Sequence, residues 1–167
     1  MIPSESPAFL AVLAVHVPLG LLAVVTGLLA MLQPKRRGRH TSFGSIYFWS
    51  LALLFVTSAA LAAMRWAEDY HLFLIGAFAF ATALIGRTAR RRRWRTTPDL
   101  HVIGMGLSYI AMLTAFYVDN GPNLPVWREL PHAAYWVLPS AVGVPLIVRV
   151  LLRERSTAYF LSHSTMR

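Results

Sequence analysis

Cysteine is absent from the 167 residues. The chain therefore has no disulfide framework, no thiolate metal site and no cysteine nucleophile. Charge is scarce as well: 14% of the residues are Asp, Glu, Lys or Arg, against about 25% in a typical soluble domain. There is no GxGxxG motif, no phosphate loop and no evident internal repeat. What fills the space is apolar, with 56% of the residues hydrophobic. This is the composition of an integral membrane protein, where charge is kept low because charge in hydrocarbon is costly.

Five apolar segments stand out, at 9–32, 45–67, 72–86, 101–118 and 133–152. Crossing about 30 Å of hydrocarbon takes roughly 20 helical residues. The third segment is the shortest and is expected to borrow Tyr70, His71 and the stem of Arg87. Backbone polar groups in lipid must satisfy one another, so the spans are helices. The expected fold is all-α: a single transmembrane domain over 1–167, built as a bundle of five helices.

The basic residues orient it. Lys35, Arg36, Arg37 and Arg39 lie between the first two spans, and Arg87, Arg90, Arg91, Arg92, Arg93 and Arg95 lie at or after the end of the third. Arg149, Arg153, Arg155 and Arg167 lie at or beyond the end of the fifth, leaving Arg65 and Arg128 on the other side. The positive-inside rule then puts the N-terminus outside and the C-terminus in the cytoplasm. Five of the seven acids, Glu5, Glu68, Asp69, Asp119 and Glu129, fall outside. The net charge of +9 is thus topogenic. It implies contact with anionic lipids at the cytoplasmic face and no nucleic acid. The first span is expected to remain in the protein, since MIPSESP carries an acid and no base and the basic cluster follows the apolar run.

Aromatic residues mark the expected interfaces: Tyr47, Phe48 and Trp49 at the start of the second span, Trp66 at its end, Tyr117, Trp127, Tyr135 and Trp136 around the last two. Small residues recur at helical spacing as Gly20, Ala23, Gly27 and Ala30, as Gly76, Ala79, Ala83 and Gly86, and as Gly104, Ser108, Ala111 and Ala115. Such stripes let helices approach closely, within the bundle or in a homo- or hetero-oligomer.

Six histidines carry whatever titratable chemistry the membrane region has. His16 sits in AVLAVHVPLG, roughly 10–12 Å from the outer end of its span. Pro18 leaves the carbonyl of Ala14 without its usual donor and bends the segment. His71 and His132 lie at the outer boundary, His40 and His101 at the inner one, and His163 in the tail. Neutral imidazole ligates haem iron and transition metals. An outer site would draw on His16, His71 and His132 with Asp119, Glu68 or Asp69; an inner site would draw on His40 and His101. Depth separates the members of the outer set, because His16 lies roughly 10 Å deeper than the other two. The other reading is structural: boundary histidines cap helix ends and His16 is a hydrogen-bonded interior residue.

FYVDNGPNLP at 116–125 leaves the fourth span and turns at once. Asp119 and Asn120 favour side-chain-to-backbone turns, Gly121 permits positive φ, and Pro122 and Pro125 stiffen the loop. Arg128 is placed to pair with Asp119 or Glu129. The loop is expected to form a rigid lid over the outer end, with substrate gating as the sharper alternative.

HVPLG at 16–20, HTSFGSIY at 40–47, HLFLIGAFAF at 71–80, HVIGMGLSYIAMLTAFYVDNGPNLPVW at 101–127, LP at 130–131 and VGVPLI at 142–147 form a pattern that covers nearly the whole chain. On these motifs the chain resembles a family of small bacterial multi-pass membrane proteins, a predicted-membrane-protein domain of unknown function. The pattern departs at Thr41, where a basic residue is expected after the histidine. The resemblance implies a helical protein of the bacterial plasma membrane with His16, His40, His71 and His101 at motif positions, and it implies no activity. Three functions follow. The first is a non-enzymatic structural or assembly partner, since no nucleophile–base–acid set is present. The second is a histidine-ligated haem or metal protein. The third is a small proton-coupled transporter, disfavoured because His16 alone is titratable at depth and no inverted repeat is evident.

Overall fold

The computed structural model describes residues 6–34, 38–92 and 97–164. Lys35, Arg36, Arg37, Arg93, Arg95, Arg167 and Glu5, used above for orientation, lie outside the described residues. The described residues are all-α: α1 is Pro7–Leu32, α2 Arg39–Met64, α3 Trp66–Arg92, α4 Thr97–Asn120 and α5 His132–Ser164, with two single 3-10 turns between the last two. Each of the five contains a stretch long and apolar enough to cross a membrane. That is the make-up of a multi-pass membrane protein.

The helices outrun the apolar spans because polar residues extend their ends. Ser6 caps α1, its hydroxyl accepting from the backbone N–H of Phe9 at 3.2 Å, with Pro7 opening the helix. Gly38 precedes α2 with φ +120, a conformation that disfavours any Cβ. The largest departure is between the second and third spans. The expected connection at 68–71 is helical, and the chain turns on Arg65 alone. Trp66 therefore starts α3 instead of ending α2. Glu68 and Asp69 stand in the first turn of α3, where the helix dipole favours acids, and both of their N–H groups donate to the Arg65 carbonyl at 3.0 Å. The Arg65 guanidinium pairs with Glu68 and lies 5.5 Å over the Phe9 ring. Helix α1 runs through Pro18, and α5 through Pro139 and Pro145, without interruption.

The chain packs as two compact units, Met1–Phe80 and Ala81–Arg167, so that α3 belongs to the first over its N-terminal part and to the second over the rest. In the first unit α1 lies along α2. Ala23, Gly27 and Ala30 are buried on α1, and Tyr47, Phe48, Ser50 and Leu51 on α2. The ring of Phe55 stacks on Phe80 at 5.6 Å and lies 5.8 Å from Phe73, with Gly76 giving Phe55 room.

In the second unit α3 meets α4 backbone to backbone. A Cβ on Gly104 would sit 2.6 Å from the Thr82 carbonyl oxygen and 2.8 Å from the Gly86 Cα. Helices α4 and α5 interlock reciprocally: Ile147 fills the space over Gly106, and Ile110 fills the space over Gly143. The three small-residue stripes are therefore contact faces, with Ala23, Ala79, Ala83 and Ser108 at 1% exposure or less. The outward faces are apolar. Val15, Val17, Leu21 and Met31 on α1 and Val142, Leu146 and Leu152 on α5 are exposed, as lipid-facing side chains are.

The aromatic belt is only partly where the sequence suggested. Trp49, Trp66 and Trp136 are exposed, but Tyr47, Phe48 and Tyr135 are core residues. Successive helical positions differ by about 100°, so Tyr47 and Phe48 face inward and Trp49 outward although the three are adjacent.

Candidate functional site

Three histidines each join one helix to its neighbour. The Nδ1 of His16 on α1 lies 2.8 Å from the Thr57 hydroxyl on α2. The Nδ1 of His40 on α2 lies 2.8 Å from the Ala30 carbonyl on α1. The Nδ1 of His101 on α4 lies 3.1 Å from the Gly86 carbonyl on α3. A carbonyl only accepts, so His40 and His101 donate from Nδ1–H. In a neutral ring this leaves the lone pair on Nε2.

The acceptors have physical reasons. Ala30 lies in the last turn of α1, and its helical donor would be residue 34, which is Pro34 and has no N–H. His40, the second residue of α2, supplies that donor; it is thus held in a helix rather than in a loose connection. Gly86 lies at the close α3–α4 crossing, where the absent side chain lets a ring from the next helix reach its carbonyl. Thr57 passes its own hydroxyl hydrogen back to its helix, with the Leu54 carbonyl at 2.9 Å and the Leu53 carbonyl at 3.1 Å.

Sequence reasoning missed Thr57, although a signal exists. Antiparallel helices rise equally on either side of their turn, so partners are equidistant from it. His16 with Thr57 and Ala30 with His40 straddle the 33–38 connection almost evenly, as Gly86 with His101 straddles 93–96.

Two further histidines meet tyrosines. The His71 ring lies 5.7 Å from Tyr70 and the His132 ring 5.6 Å from Tyr135, both edge-on. Among the described residues no group of three or more His, Asp or Glu side chains is arranged to hold a metal ion.

The segment between α4 and α5 is held by aromatic residues. The buried Tyr135 donates its hydroxyl to the Trp127 carbonyl at 3.0 Å, and the Trp127 ring stacks on Tyr117 at 4.0 Å. Gly121 does not take positive φ; it is needed because a Cβ there would come 2.8 Å from the Tyr135 ring. Arg128 pairs with Glu129 at 3.0 Å, and both are well exposed. Asn120 donates to Asp119 at 3.2 Å and to the Phe116 carbonyl at 3.1 Å, closing the end of α4. The positive φ belongs to Val126, at +70, a branched residue 78% exposed at the loop tip.

No family model, no curated protein and no solved structure matches the chain.

Proposed function

We propose that this protein is a non-enzymatic structural or assembly partner in a bacterial plasma membrane, a single five-helix bundle with its N-terminus outside and its C-terminus in the cytoplasm. The observation that carries this reading is the use of the histidines. His16, His40 and His101 each give Nδ1 to an acceptor on the neighbouring helix, which is polar glue between membrane helices worth about 0.6 kcal/mol each on average. The small-residue faces, the exposed apolar sides of α1 and α5 and the basic inner loops suit a scaffold that meets lipid and a partner of its own or another kind.

A second reading, a histidine-ligated haem or metal protein, draws support from the same bonds. An imidazole whose Nδ1–H is tied to a carbonyl presents Nε2 in the tautomer that metal-bound histidines use. An absorption spectrum of the detergent-purified protein, oxidised and dithionite-reduced, with metal analysis on the same sample, separates the two. The structural reading expects a colourless, metal-free, folded protein after growth with added haem and metals. A Soret band that shifts on reduction, or stoichiometric metal, would replace it with the second.

A further inference from the structure

His16 has a second nitrogen that the α1–α2 tether does not use. The Thr57 hydroxyl has one hydrogen, and the carbonyls of Leu54 and Leu53 stand at 2.9 and 3.1 Å to take it. With that hydrogen on a helix carbonyl, the hydroxyl accepts from His16, whose Nδ1 lies 2.8 Å away. A neutral His16 thus carries its lone pair on Nε2. Among the described residues the ring makes no other hydrogen bond, and no buried side-chain nitrogen or oxygen is left without one, so Nε2 opens on the surface of the helix pair.

The surroundings restrict what can answer this acceptor. His16 is the tenth residue of α1, about 14 Å along the helix from its first residue, so an occupant must dissolve in hydrocarbon. It must bring a donor, because Nε2 offers a lone pair. It should be neutral, because α1 has no charged residue and α2 has none after Arg39. Flanking exposed side chains are apolar: Val15 and Val17 on α1, Leu53 and Val56 on α2. Ionisable side chains at this depth are rare and costly, and an imidazole nitrogen there calls for a partner.

We propose that His16 Nε2 is a membrane-embedded acceptor for a lipid-soluble hydroxyl compound, a quinol or a long-chain alcohol, oriented by the Thr57 tether. The interaction is binding only. It adds a ligand to the scaffold described above and does not depend on the identity of the scaffold's protein partner.

The test is nitrogen-15 magnetic resonance of histidine-labelled full-length protein in lipid nanodiscs, with His16→Gln to identify the His16 signals. The expected ligand-free spectrum has a protonated Nδ1 and an unprotonated Nε2 on His16. Adding decylubiquinol should move the Nε2 signal upfield, and decylubiquinone, which lacks the hydroxyls, should not. Dodecanol distinguishes the sources: a matching shift identifies any membrane hydroxyl as the ligand, and no shift identifies the quinol. Thr57→Val, which removes the orienting acceptor and keeps the volume, should weaken quinol binding about tenfold, the worth of one hydrogen bond. The proposal is overturned if the proton is on Nε2, if neither hydroxyl compound moves the signal, or if Thr57→Val binds quinol as tightly as the parent.

Discussion

His40 shows how a single residue can complete a helix that a proline left incomplete. Ala30 loses its helical donor to Pro34, and the imidazole of His40 replaces it at 2.8 Å. Replacing His40 with Leu should lower stability by about 1–3 kcal/mol, the cost of a buried carbonyl without a donor. In a Pro34→Ala background, where residue 34 regains its N–H, the same replacement should cost clearly less. Thermal unfolding of the four proteins in detergent forms the cycle, and equal costs in both backgrounds would refute the account. Val126 is the opposite case, a residue whose backbone opposes its side chain. Its φ of +70 is unfavourable for a Cβ-branched residue, and its exposure means little packing is lost on removal. Val126→Gly should therefore raise stability by about 0.5–1 kcal/mol, strain relief outweighing the added freedom of the unfolded chain. A lower melting temperature would show that the valine contributes packing that its exposure hides.

Between elements, the same substitution changes sign with the approach of the neighbouring helix. Gly104 meets the backbone of Thr82 and Gly86, which cannot step aside as a side chain can. Gly104→Ala should cost about 1–3 kcal/mol by forcing α3 and α4 apart. Gly44, inside α2, has nothing within 4 Å of the place a Cβ would take, so Gly44→Ala should instead stabilise by about 0.5–1 kcal/mol. Unfolding in detergent against increasing denaturing detergent would read both, and a neutral Gly104→Ala would mean that the crossing is looser than its geometry. The stripes of small residues were visible as spacing, and they mark contact faces. Spacing could not say that Gly104 meets backbone whereas Gly106 and Gly143 each receive an isoleucine. That difference depends on which residue the facing helix presents at the same height.

For the whole molecule the first question is orientation, and the absence of native cysteine makes it directly accessible. Single cysteines at Asn123, exposed in the α4–α5 connection, and at Ser156, exposed near the end of α5, report opposite sides. With the N-terminus outside, a membrane-impermeant maleimide should label Asn123→Cys on intact cells and Ser156→Cys only after permeabilisation. The reverse pattern would overturn the orientation drawn from the basic loops. Five helices of sufficient length, their outward apolar faces and their small-residue contact faces were determined by the sequence itself. Insertion into lipid depends on the length and composition of each segment and little on its neighbours. The tertiary structure decided what depends on neighbours. It turned Tyr47 and Phe48 into core while Trp49 stayed outside, made Arg65 the whole connection between α2 and α3, and chose Thr57, Ala30 and Gly86 as the acceptors of three histidines. A one-residue step rotates a side chain by about 100° around its helix, and only the packed partner settles which of those directions meets an acceptor, a ring or lipid.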